Sequence, residues 1–85
     1  MENLKNLKIE GFEFDDNISY KDDSISYNKI GDEDCWIEIA PAYNRNDFAV
    51  INYVNHCERV RTVILVIADY NFEKGILEYM PEEMK

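Results

Sequence analysis

Glycine, proline, histidine and cysteine are all scarce in this chain. Three Gly and two Pro in 85 residues leave no room for a low-complexity linker or a glycine-rich phosphate loop. The single histidine, His56, and two cysteines, Cys35 and Cys57, fall short of the four Cys or His ligands that structural zinc takes. Long apolar runs are missing too. The longest, residues 63–68, is six residues, where a membrane helix needs about 20. Met1-Glu2-Asn3-Leu4-Lys5 has no apolar h-region, so no secretory leader is expected and a cytoplasmic location is. In that compartment the two thiols are expected to be free.

Positive charge is the scarcest resource. Nine Lys and Arg stand against 18 Asp and Glu, a formal net charge of −9. Affinity for phosphate comes mainly from Lys and Arg, so direct binding to nucleic acid is excluded. An anionic membrane surface is disfavoured by the same sign.

What is present suits a small packed domain. Hydrophobic residues make up 46% and aromatics 13% of the chain, enough for one compact core and not for two. Residues 1–85 are therefore expected to form a single small acidic globular domain. The acidity is concentrated. Residues 10–38 carry ten carboxylates against Lys21 and Lys29, a net of −8, while residues 39–70 balance three acids against three arginines. The carboxylates come in short groups interleaved with apolar positions, unlike the continuous block of a disordered acidic tail.

The apolar pattern mostly has period two and uses β-branched and aromatic residues, which points to strands. Residues 9–14 alternate weakly. Ile18-Ser19-Tyr20 is mirrored by Ile25-Ser26-Tyr27 around Lys21-Asp22-Asp23-Ser24. This predicts a hairpin with Ile18 opposite Tyr27 and Asp16 opposite Lys29. Trp36-Ile37-Glu38-Ile39 reads as a strand stopped by Pro41. Residues 48–54 read as strand, with a helix over 47–58, capped by Asp47, as the alternative. Residues 59–68 form the strongest strand. Because 63–67 is apolar on both faces, it is expected in the sheet interior, where Val66→Asp would cost about 3 kcal/mol or more. Residues 69–74 read as a turn and 75–80 as a return strand. The fold class expected is mainly β: one antiparallel sheet or meander of about six strands with at most one short helix. An α+β fold with the helix at 47–58 is the alternative.

Catalytic and metal chemistry find little support. His56 and Cys57 are neighbours, and on a strand they would point to opposite faces. Carboxylates at Asp32-Glu33-Asp34 would raise the Cys35 thiol and not activate it. None of the acidic groups has calcium-loop spacing. Asn17-Ile18-Ser19 matches a glycosylation acceptor but lacks the secretory context. The chain is expected to be no enzyme and to use no cofactor or metal.

The acidic stretch also carries Phe12, Phe14, Tyr20, Tyr27 and Trp36. Carboxylates with interleaved aromatics can engage a basic groove, pairing its cations and stacking on its guanidinium groups. In size, acidity and lack of catalytic motifs the chain is similar to the phage nucleic-acid mimics: anti-CRISPR proteins, anti-restriction proteins and uracil-DNA glycosylase inhibitors. No motif is shared residue by residue. The function expected is that of an acidic inhibitor occupying the basic, nucleic-acid-binding surface of a partner protein. The partner-facing residues would be Asp15, Asp16, Asp22, Asp23, Asp32, Glu33, Asp34, Tyr20 and Tyr27. An immunity protein neutralising a toxin nuclease, or a non-catalytic structural or regulatory subunit, are the alternatives.

Overall fold

The computed structural model of the chain describes residues 2–16, 24–42, 47–68 and 71–85. Among these, five strands form one antiparallel sheet whose spatial order equals the chain order. They are β1 (Phe12–Phe14), β2 (Ile25–Lys29), β3 (Trp36–Pro41), β4 (Phe48–Asn55) and β5 (Glu58–Val66). A single α-helix, α1 (Phe72–Glu78), and two 3-10 turns, Glu2–Asn6 and Glu82–Met84, complete the described elements. The fold is mainly β, as the period-two pattern predicts.

Register sorts the side chains into two faces. Cross-strand rows on the inner face run Phe14–Tyr27–Ile37–Tyr53–Arg61 and Ile25–Ile39–Ile51–Val63. Apart from the strands at either edge, these positions are almost entirely buried. The inner face is covered by Leu4, Ile9, Phe72, Ile76, Met80 and Met84, contributed by the segments before β1 and after β5. Two tyrosines tie that cover down. The Tyr27 hydroxyl accepts from the Leu7 amide at 3.0 Å and donates to the Leu4 carbonyl. The Tyr53 hydroxyl donates to the Ile76 carbonyl at 2.7 Å. Each such bond contributes about 1 kcal/mol net, and losing a partner in the core costs more.

The outer face changes character along its length. One row is polar, Ser26–Glu38–Asn52–Thr62, with the Thr62 hydroxyl donating to Asn52 Oδ1 at 2.9 Å. The next rows, Ala40–Val50–Ile64 and Phe48–Val66, are apolar.

Three expectations need correction, and one alternative is set aside. Residues 75–80 are not a return strand: α1 occupies this part of the chain. Phe72 and Ile76 are buried at a spacing of four, on one face of α1, and Met80, just past the end of the helix, is buried with them. Gly75 allows the close approach, since a Cβ there would lie 3.2 Å from Leu65 Cδ1. Residues 48–55 are strand, so the alternative helix at 47–58 does not form. Nor is 63–67 interior: among the described residues β5 pairs only with β4 and is an edge strand. Its inner face is covered by α1, which explains half of its apolar residues, but Ile64 on the outer face is 62% exposed. Finally, β2 pairs with β1 in a register that sets Tyr27 opposite Phe14 and Lys29 opposite Phe12. The expected pairs Ile18–Tyr27 and Asp16–Lys29 are therefore replaced. The earlier limb of that expected hairpin, residues 17–20, and most of its loop lie outside the described residues.

Candidate acidic binding site

Three turns meet at one end of the sheet, where β1, β3 and β5 begin and β2 and β4 finish. The β2–β3 turn is organised by Gly31, whose φ of +86° is open to glycine at no steric cost. Within it the Asp32 amide donates to the Lys29 carbonyl at 3.2 Å, and the Asp34 amide donates to Asp32 Oδ1 at 3.1 Å. The second bond is an Asx turn, the local use of aspartate that makes it a turn residue. The β4–β5 connection is a two-residue turn with both central residues at positive φ, His56 at 53° and Cys57 at 64°. That is the twist-matched hairpin geometry, here built without the usual Asn or Gly.

These two turns are joined to each other. The Cys57 amide donates to the Asp34 carbonyl at 3.0 Å, and the Cys57 thiol donates to Asp34 Oδ1 at 3.5 Å. The third turn, at Glu10–Gly11, is held by the Ile30 amide donating to the Gly11 carbonyl at 2.9 Å. The result is a connected rim carrying Glu10, Asp32, Glu33, Asp34 and Glu58, all exposed except the half-buried Asp32. Ile30, an apolar side chain that is 62% exposed, stands among them. Lys29 and Arg59 are the nearby cations along the adjoining strand ends.

Electrostatics also quiet the thiols. Hydrogen bonding to Asp34, followed by desolvation and the negative charge of Asp34 and Asp32, pushes the Cys57 thiol up. Burial does the same for Cys35. Both are free cysteines, and a protonated thiol is a poor nucleophile. His56 and Cys57 are the two central residues of a turn and not strand neighbours as expected. No group of three or more His, Cys, Asp or Glu side chains arranged to hold a metal occurs among the described residues.

The residues expected to bind a partner are not all brought together. Asp32, Glu33 and Asp34 share the rim. Asp15 and Asp16 lie at the opposite end of the sheet, where β1 finishes, about 17 Å away for a five-residue strand. Asp15 is half-buried and accepts from Asn28 Nδ2, while Asp16 is exposed. Tyr27 is 1% exposed and holds the N-terminal segment, so it belongs to the core and is withdrawn from the binding set. Burial also raises its phenol. Asp22, Asp23 and Tyr20 lie outside the described residues. Glu10, Ile30 and Glu58 join the rim without having been singled out. Glu10 precedes the turn glycine Gly11, a usable signal. Glu58 had none, because Asn55-His56-Cys57 does not spell a tight hairpin turn.

No protein family, curated protein or solved structure matches the chain. No helix among the described residues is long and apolar enough to cross a membrane. The fold and the rim together define a small antiparallel β-sheet protein, covered on one face, with an acidic end.

Proposed function

We propose that this chain is a non-catalytic binding protein that sets its acidic sheet end against a basic surface of another protein, of the kind that holds nucleic acid. One observation carries the reading. Carboxylates from three separate turns, Glu10, Asp32 to Asp34 and Glu58, are gathered on one rim by backbone hydrogen bonds. A fixed frame holds the charges at set separations before binding, so less side-chain and loop ordering is required on association. Exposed carboxylates in that frame would pair with Arg or Lys and accelerate encounter with a basic partner. Ile30 would supply an apolar contact at the centre of the patch. Inhibition follows by competition, since the partner's phosphate-binding cations would be occupied. A toxin nuclease would present the same basic chemistry to an immunity protein.

Displacement of a labelled DNA duplex from a panel of purified nucleases and nucleic-acid-binding enzymes tests the reading. The chain is expected to displace DNA from at least one of them, less effectively as salt rises. The triple variant Asp32→Asn, Glu33→Gln, Asp34→Asn is expected to lose at least about tenfold in that effect, the weight of one strong charge contact. Glu78→Gln, Glu82→Gln and Glu83→Gln together are the matched control, because all three side chains are exposed and belong to none of the rim turns. Glu73 is unsuited as a control, since it accepts from the Lys8 amide. Equal loss in the two sets would reduce the effect to net charge and end the proposal of a shaped site.

A further inference from the structure

We infer that two copies of this chain pair antiparallel through the open edge of β5, joining their sheets into one. The inference is independent of the acidic rim. It begins with hydrogen-bond alternation. The Ile67 amide donates to the Asp47 carbonyl at 2.8 Å, immediately beyond the pair Phe48–Val66. In an antiparallel ladder each residue points both backbone groups to one side, and the side alternates. Val63 and Leu65 therefore face β4, while Thr62, Ile64 and Val66 turn their N–H and C=O groups outward. Among the described residues β5 has a partner on one side only.

The side chains along this edge do little to discourage a neighbour. Open edges are usually blunted by charge, proline or a bulge. β5 has a register irregularity opposite Tyr53 and Val54, and two exposed arginines, Arg59 and Arg61, all in its first half. From Thr62 to Val66 there is no charge and no proline. Ile64 and Val66 are among the exposed large hydrophobics, and they continue the apolar outer rows of Val50 and Phe48.

Charge selects the occupant. Two chains of net charge −9 repel across most approaches, but β5 is the strand farthest from β1, with three strands between. Four inter-strand steps separate the two edges by about 19 Å, more than twice the Debye length of about 8 Å in physiological salt. β5 itself carries Glu58 against Arg59 and Arg61. It is therefore the edge where copies of an acidic protein meet without opposing their carboxylates. A basic partner is drawn to the rim at the start of β5, and the uncharged half from Thr62 to Val66 lies beyond it. Register is selected by the same residues. An isologous pair centred on Val63 sets Thr62 of one copy opposite Ile64 of the other, and Arg61 opposite Leu65. Centring on Arg61 would bring like charges face to face.

Sedimentation equilibrium from dilute to concentrated solution, combined with amide hydrogen exchange, tests this. The apparent mass is expected to rise from 10.1 kDa toward twice that value. In the concentrated sample, exchange at Thr62, Ile64 and Val66 is expected to slow by about tenfold or more, while Val63 and Leu65 are protected throughout. Thr62→Pro deletes an outward N–H and leaves the β4 ladder intact, a position where edge strands accept proline. It is expected to stay monomeric with an unchanged far-ultraviolet spectrum. Ile64→Lys, which needs no backbone adjustment, is expected to do the same. A chain that is monomeric at every concentration overturns the inference. So does a dimer whose Ile64 amide still exchanges freely, which would place the contact on another surface, or a dimer that survives Ile64→Lys.

Discussion

The two edges of the sheet are built on opposite plans. β1 is three residues long and lies among Glu10, Glu13, Asp15 and Asp16. β5 is nine residues long and ends in an uncharged apolar half. A short strand set among carboxylates gives an incoming chain few bonds and a repulsive approach, whereas a long uncharged edge gives many bonds and none of the repulsion. Both edges border the same inner face, and both are covered there, β1 by the N-terminal segment and β5 by α1. The difference lies in what each shows to solvent. The acidity thus has a second consequence besides any binding role: it protects one side of the sheet and leaves the other available.

The largest test of this contrast compares neighbouring isoleucines across the β4–β5 border. Ile51 is fully buried in the row with Ile39, whereas Ile64 is mostly exposed. Ile51→Ala is expected to cost about 2–5 kcal/mol in urea unfolding. Ile64→Ala, measured on the dilute monomer, is expected to stay within about 0.5 kcal/mol. Similar losses at both sites would mean that the outer face of β5 is covered.

Next in size is the inner-face anchor at Tyr53. Burial raises this phenol well above its ordinary value of 10.0, and the folded state holds the proton that the unfolded chain releases. The sign follows from linkage: the contribution is whole below pH 10.0 and is lost as pH climbs past it toward the folded value. Tyr27 adds in the same direction. Chemical unfolding at increasing alkaline pH is expected to show stability falling by up to about 1.4 kcal/mol per pH unit for each tyrosine. Tyr53→Phe is expected to flatten part of that slope while costing about 1–3 kcal/mol at neutral pH, because the Ile76 carbonyl loses its donor. An unchanged slope in Tyr53→Phe would remove Tyr53 as the cause.

Val66→Asp tests the corrected placement of β5 most directly. On an interior strand it would cost about 3 kcal/mol or more. On the outer face of an edge strand the expected cost is at most about 1 kcal/mol, the span of strand propensity. A drop in thermal stability of the monomer beyond that would return β5 to the interior.

The smallest effect belongs to the acidic rim. Asp34→Ala removes both the acceptor and the charge that hold the Cys57 thiol up. Alkylation of Cys57 by iodoacetamide at mildly alkaline pH is expected to quicken, since more of it is thiolate. Stability should change by no more than about 0.5 kcal/mol at this exposed position. An alkylation rate equal to that of the unaltered chain would show that Asp34 does not control this thiol.

Much of the sheet was legible in residue order. Alternation in 36–39 predicted β3, because strand side chains alternate faces and one face had to be buried, and the β-branched and aromatic residues of 48–54, with one strong helix former among them, predicted β4. The misreadings share a cause, which is that local pattern does not say what lies opposite. In 63–67 both faces are apolar, a pattern equally produced by an interior strand and by an edge strand whose outer face is left bare. The mirrored Ile-Ser-Tyr motifs were self-consistent as a hairpin, yet Tyr27 stands opposite Phe14, four residues from the expected partner and on the same face. A four-residue slip preserves the faces, so patterning alone could not distinguish the two registers. Over 72–80 the buried residues Phe72, Ile76 and Met80 recur at steps of four, a short signal that Gly75, a poor helix former, interrupts. The site followed the same rule. Asp32, Glu33 and Asp34 were readable as an exposed turn, but their company of Glu10, Glu58 and Cys57 was not, because those residues arrive from other strands.

Sequence by itself determined the mainly-β class, the net charge and where along the chain that charge falls, because composition and period are local properties. Only the tertiary structure decided which strand became an edge, which acidic groups came to share a rim, and that Tyr27 would be a core anchor and not a contact. Those outcomes depend on which segments meet. Contacts between distant residues are selected by the packing of the whole chain, where burying Leu4, Phe72, Ile76 and Met84 over one face of the sheet outweighs any preference held by a single segment.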